Sequence, residues 1–312
     1  MNLFSLIALL VPFFGFVFAD LTPHFRNFLN ARFGAKSANR FARNDMGISA
    51  GSFGGRRDDN DVVQNHPVVF VHGLTLRAGT FFSHRAYFIQ QGYSQSELYA
   101  TTYSDGGITP FFSKTMNCED VKQIREFIKA VYLYTNKTVD VLAYSMGVAV
   151  SRKAILGGRC VDTNEYLGGS ITRLINTYVA VAGVAYGYQN CPKQFKICEI
   201  DIKPEINFFL ACNAVNGMAC DSKYIKDVNS KAAPYEGMTT YALYSVDDFL
   251  VGQHCCDNIC SMLKNANGTV VEQGYDHLAI FFYTKEKQLA LLRNEIEALN
   301  NDDNLDSSQA NY

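Results

Sequence analysis

The chain has 312 residues, 48% of them apolar and 13% aromatic, with no Trp and a formal net charge of −2. Length and apolar content suit one large domain or two small ones with a substantial core. The near-neutral balance excludes a global field that would draw nucleic acid or acidic lipid.

In chain order, residues 1–19 are an apolar stretch ending in Val17-Phe18-Ala19, with small residues where a signal peptidase reads. They are expected to be a signal peptide, being short and far N-terminal for a membrane anchor. No second long apolar run follows, and residues 301–312 form a polar tail. The expectation is a secreted, extracellular protein without a stable transmembrane or lipid anchor. The nine Cys begin at Cys118. In an oxidising compartment most should pair, and an odd count leaves one over, but the connectivity cannot be read from spacing. Asn136 and Asn267 open N-x-S/T sequons and are candidate glycan acceptors.

Residues 20–64 read as an N-terminal helix and a linker. Over 20–45 Thr22 caps and Pro23 suits the first turn, with Phe25, Phe28, Leu29 and Phe33 on one face. That face predicts a helix strapped onto the main domain in preference to a lipid-touching one. "GISAGSFGGRRDDND" (47–61) reads as a linker loop. From residue 65 to 300 strands and helices alternate. "HPVVFVHGL" (66–74) is a buried strand running into a glycine turn, 83–93 a helix, and 96–103 a strand. Residues 118–136 make an amphipathic helix with Asn117 as cap, and 138–144 is a strand followed by a helix over 146–156. Strands at 171–183 and 238–245, another from 268, and a closing helix over 286–300 complete the run. Alternation of this kind predicts an α/β fold: a mainly parallel sheet flanked by helices. Between 184 and 235 it stops, and Cys191, Cys198, Cys212 and Cys220 fall there, which reads as a Cys-rich insertion before the next strand.

Ser145 lies at the carboxyl end of a predicted strand, where parallel sheets bind ligands. Ala143 and Gly147 flank it as A-x-S-x-G, and small residues there let a strand turn sharply into a helix and raise the hydroxyl. A serine nucleophile needs a base, and the base an orienting acid. Downstream only His254 and His277 remain, and His277 follows the last strand. Asp247 and Asp248 follow the strand before it, and strand alternation does not choose between them. A helix-start N–H at Met146 and a loop N–H at Leu74, after the Gly73 turn, complete an oxyanion-hole pattern. Each feature is common alone; the four in the required order, each after a strand, point to acyl transfer.

These residues resemble the class 2 lipase family, small α/β-hydrolases known from bacilli, and especially their longer secreted nematode relatives. The likeness rests on "PVVFVHGLT", "VDVLAYSMGVAVSRKAILGG", "YSVDDFLVG" and "GYDHLAIFF", with "LTPHFRNFLNARFG" and the Cys-bearing insertion matching the longer relatives only. It implies the α/β-hydrolase fold and hydrolysis of carboxylic esters, acylglycerols among them, without a metal or cofactor. It also implies Ser145, Asp248 and His277 as the triad and Leu74 and Met146 as oxyanion donors. Val148 stands where the family often has a second Gly. The expected partner is therefore a lipid or small ester substrate, met at a lipid–water interface if the chains are long, and no nucleic acid. "PFFSKTM" (110–116) and "NFFLACNAV" (207–215) are candidates for an acyl pocket or for ordinary packing. The rival readings are an inactive or non-lipid binding scaffold, an amidase or acyltransferase using the same triad, and a metal held by His254, Cys255, Cys256 and Cys260. A secreted context favours disulfides over the last. The 184–235 insertion is a candidate lid.

Overall fold

A computed structural model describes residues 20–47, 51–191 and 210–297. Residues 1–19, expected to be a signal peptide, Cys198 and the polar tail lie outside the described residues. Seven strands form one sheet in the order β1-β3-β2-β4-β5-β6-β7. They are β1 (Ser52–Phe53), β2 (Val68–Val71), β3 (Leu98–Thr101), β4 (Val139–Tyr144), β5 (Ile175–Val181), β6 (Thr239–Ser245) and β7 (Gly268–Glu272). All neighbours are parallel except β1, which pairs antiparallel with β3.

The inner strands are covered on both faces, β2 and β4 along their whole length, whereas edge strand β7 leaves Val271 exposed. Side chains alternate between two cores. Val69, Val71, Val141 and Ala143 face one, under α1 (Pro23–Ala42), α3 (Cys118–Thr135), α4 (Met146–Leu156) and α5 (Lys223–Val228). Phe70, Leu142 and Tyr144 face the other, under α2 (Phe82–Gln90), α6 (His277–Tyr283) and α7 (Lys285–Leu292). The α3 stripe holds as expected: Ile124, Phe127, Ile128 and Val131 are fully buried, each contributing about 1.5–3 kcal/mol. Asn117 accepts the Asp120 N–H at its start.

The N-terminal helix is strapped onto the main domain as expected, while the linker reading of the segment after it is not met. Thr22 caps α1, and Phe25 and Phe41 pack on Tyr134 and Phe127 of α3. Residues 47–61, expected as a loop, supply the edge strand β1, with Phe53 buried and the Thr22 N–H donating to the Gly54 carbonyl. The closing helix, expected as one piece, is interrupted: α7 ends at Leu292, residues 293–295 are not helical, and 296–297 are helical again. Asn294 adopts φ 61 after α7. It stops the helix as a left-handed cap, with its side chain turned to Tyr241 and Thr177.

The described part of the insertion that forms α5 lies over α4, where Tyr224 donates to the Ala149 carbonyl. Disulfides Cys118–Cys160, Cys191–Cys212, Cys220–Cys256 and Cys255–Cys260 hold this side of the molecule, each typically worth about 2–4 kcal/mol. Among the described residues no helix is long and apolar enough to cross a membrane.

Asp140, buried near the start of β4, accepts N–H bonds from Asn176 and Thr177 on one oxygen. Burial pushes its carboxyl up to about 7. The native state therefore holds this proton more tightly than the unfolded chain. The resulting stability is full below the unfolded value and is lost as pH rises through about 7. Asn keeps the acceptor and never ionises. Asp140→Asn should match wild type at pH 4 and melt several degrees higher at pH 8. Thermal unfolding across pH 4–8 checks this; a gap independent of pH contradicts it.

Candidate active site

β2 and β4 run side by side, Val71 opposite Ala143, so the residues after them meet at the carboxyl edge. β3 lies on one side of β2 and β4 on the other. This is the switch point at which parallel sheets open a crevice. Ser145 makes the whole turn from β4 into α4, at φ 55, ψ −127. A residue with a Cβ pays about 1–3 kcal/mol to sit in such a region. The backbone around it supplies the constraint. The Ser145 N–H donates to the Val181 carbonyl, and its own carbonyl accepts from Val148 and Val184, each at 3.0 Å.

The glycines here are required by close approach. A Cβ on Gly147 would lie 2.4 Å from the His72 carbonyl oxygen, and one on Gly73 would lie 2.9 Å from the Ser145 Cβ. Ala143 is different: it sits inside the strand, fully buried, where Ala needs no special backbone. Val148 does not crowd the helix start, because Gly183 faces it and leaves the room its methyls occupy.

His277 opens α6 just beyond β7 and turns inward. Its Nε2 lies 3.0 Å from Ser145 Oγ, and its Nδ1 lies 2.7 Å from Asp248 Oδ2. A carboxylate only accepts, so the proton sits on Nδ1 and Nε2 is free to accept from the serine hydroxyl. All three residues are buried. Asp248 Oδ1 accepts the Leu250 and Val251 N–H groups, which fixes the carboxylate. Asp247 is elsewhere: its carboxylate accepts the Gly274 N–H and ties the β6 loop to the turn before His277. Asp276 caps α6 through the Leu278 and Ala279 N–H groups. The structure thus brings Asp248, and not Asp247, to His277.

Leu74 and Met146 line one narrow cleft with His72, Gly73, Tyr103 and Lys114. Its volume is about 10 Å³, room for about one water. Met146 is the first residue of α4, so its N–H has no partner within the helix. Within 110–116 the cleft-lining residue is Lys114, while Met116 is buried in the core and Phe111 is exposed. Of the second candidate stretch, 207–209 lie outside the described residues, Ala211 and Cys212 are buried, and Leu210 and Val215 are exposed.

His254 is exposed and away from this arrangement, its N–H donating to Gln189 Oε1. Cys255, Cys256 and Cys260 are committed to disulfides, which leaves no thiolates for the metal reading.

Two supporting residues carried no sequence signal of their own. Tyr144 stacks on His277 and Phe281 and donates its hydroxyl to the His277 carbonyl. Gln189 accepts the N–H groups of Gln253 and His254, holding the loop that carries Asp248.

Comparison with known proteins follows the same lines. The family described as Lipase (class 2) matches residues 65–290. Among solved structures, the mature form of the Bacillus licheniformis lipase BlEst2 is similar at 14% identity, over 77% of this chain and 97% of its own, with a TM-score of 0.53. Aspergillus fumigatus lipase B is similar at 14% identity over 72% of this chain, with a TM-score of 0.47; this chain spans about half of that protein's length, 48%. Likeness at these identities concerns the fold alone. The family match runs from the start of the parallel sheet into α7, and the chain belongs to the class 2 lipase family, as a carboxylic-ester hydrolase of the α/β-hydrolase fold.

Proposed function

We propose that this protein is a secreted hydrolase that cleaves acylglycerols or related lipid esters through an acyl-enzyme on Ser145. The observation that carries the reading is the unbroken chain from Ser145 Oγ through His277 to Asp248, at the strained strand-to-helix turn. His277 takes the hydroxyl proton as Ser145 Oγ attacks the ester carbonyl carbon. The Leu74 and Met146 N–H groups hold the developing oxyanion. His277 then protonates the departing alcohol. Water, deprotonated by His277, attacks the acyl carbon; the bond to Ser145 Oγ breaks, His277 returns the proton to Oγ, and the carboxylic acid leaves.

The lipid reading is supported by apolar side chains beside the site. Phe249 and Leu250 follow Asp248, and Leu278 follows His277. Ile108 and Phe111 lie on the segment whose Gly107, Thr109 and Lys114 line the cleft. Phe249 is 79% exposed and Ile108 78%. Solvent exposure of large apolar groups around one site suits contact with a lipid surface. The disulfides and the apolar residues 1–19 support secretion, exposed Asn136 and Asn267 suit glycan attachment, and the start and insertion support kinship with the longer nematode members.

The same triad would equally serve a hydrolase of short soluble esters, the second reading. Chain-length profiles separate the two. The lipid reading expects activity on triacylglycerol emulsions to exceed that on dispersed short esters by at least about tenfold. No gain on emulsions leaves the short-ester reading.

A further inference from the structure

From the contacts of His72 and Gly73 we infer that His72 is a positioning residue for the oxyanion hole, acting by locking the Gly73–Leu74 peptide so that the Leu74 N–H faces the cleft. The inference rests on the hydrolase reading above.

In a trans peptide the C=O of one residue and the N–H of the next point in opposite directions. Whatever holds the Gly73 carbonyl therefore aims the Leu74 N–H. Two donors hold it: His72 Nδ1 at 2.8 Å and the Leu76 N–H at 3.3 Å. The imidazole is itself fixed. Its Nε2 accepts the Tyr103 N–H at 3.1 Å, which places the ring proton on Nδ1. The Tyr103 ring stacks on it with centroids 4.1 Å apart, and the Tyr103 hydroxyl donates to the His72 carbonyl at 2.9 Å. Both residues are buried.

The loop needs this restraint. Thr75, a β-branched residue, sits at φ 59, a conformation uncommon for such side chains. Gly73 is free of side-chain constraint and could turn its peptide the other way. A flipped Gly73–Leu74 peptide would present a carbonyl to the oxyanion instead of an N–H. The ring of His72, held by Tyr103, opposes that flip.

Two near-isosteric variants separate this role from general packing. In His72→Asn the amide N–H takes the place of Nδ1–H and keeps the donor to Gly73. In His72→Gln the longer side chain reaches the Tyr103 N–H and offers no donor at the Gly73 carbonyl. With a p-nitrophenyl ester, and active sites counted by the end-point of phosphonate labelling, His72→Gln should lower kcat by about 100-fold with KM within about threefold. His72→Asn should stay within about tenfold of wild type. Affinity for an alkylboronic acid, which forms a tetrahedral adduct, should fall in step with kcat/KM. Equal losses in the two variants, or a loss confined to KM, overturn the inference. If His72→Gln does not fold, Tyr103→Phe keeps the buried ring and removes the tether to the His72 carbonyl. It should lower kcat about fivefold or more at constant KM, and an unchanged kcat overturns the inference. Wild-type activity equal to that of Ser145→Ala would instead sink the hydrolase reading, and this inference with it.

Discussion

Ser145→Ala is expected to lower kcat on a soluble ester by about 10⁵–10⁶-fold. The hydroxyl is the atom that bonds to the acyl carbon, and no neighbouring group stands in for it. His277 would then hold only a water in its place, at the cost of the pre-set geometry that makes attack effectively unimolecular. What remains is the residual rate supplied by the oxyanion donors and substrate binding, which in such sites is about 10³–10⁴ over water. The fold should survive. The Ser145 side chain's partner is His277, while the backbone bonds to Val181, Val148 and Val184 do not involve the hydroxyl. A soluble variant melting close to wild type but hydrolysing p-nitrophenyl butyrate at the wild-type rate would contradict the assignment.

The second large effect separates two adjacent carboxylates. Asp248→Asn should lower kcat by about 10⁴-fold, while Asp247→Asn should stay within about threefold of wild type. The reason lies in the two oxygens of Asp248. Oδ1 accepts the Leu250 and Val251 N–H groups, so an Asn there keeps its oxygen on that side and turns its NH₂ toward His277. Nδ1 must then accept, the ring proton moves to Nε2, and Nε2 can no longer take the proton of Ser145. Asp247 meets the Gly274 N–H through one oxygen, which Asn retains. Steady-state kinetics on the two variants, with circular dichroism to confirm folding, gives the comparison. Equal losses would place the acid wrongly.

Much of this arrangement is legible in sequence because parallel sheets impose an order. Strand, turn and helix recur, and the chemistry sits after the carboxyl ends. That topology alone brings Gly73 and Leu74 beside Ser145, and it selects His277 over His254. It could not select Asp248 over Asp247. Both follow the end of β6 in a turn, where the Asp248 N–H donates back to the Ser245 carbonyl and the two-residue alternation of a strand no longer sets direction. The family resemblance, by contrast, pointed to Asp248.

The order of β1 is hidden from sequence for a related cause. A two-residue strand amid Gly, Ser and charged residues has a loop's composition, and only pairing with β3 and burial of Phe53 give it order. The break in the closing helix is equally unannounced: the apolar spacing continues past Leu292, while the side-chain bonds of Asn294 to Tyr241 and Thr177 interrupt the helix at 293–295. His72 illustrates the opposite gap. Its position in "HG" marks a strand end, yet its work depends on Tyr103, thirty-one residues on, which sequence spacing does not connect to it.

The measurement that bears most directly on the central claim is covalent labelling. An alkyl fluorophosphonate should add one phosphonyl group per molecule, and peptide mass mapping should place it on Ser145. The Ser145→Ala protein should take up none, and Asp248→Asn should label far more slowly. Labelling at another serine, or equal uptake by wild type and Ser145→Ala, would contradict the account.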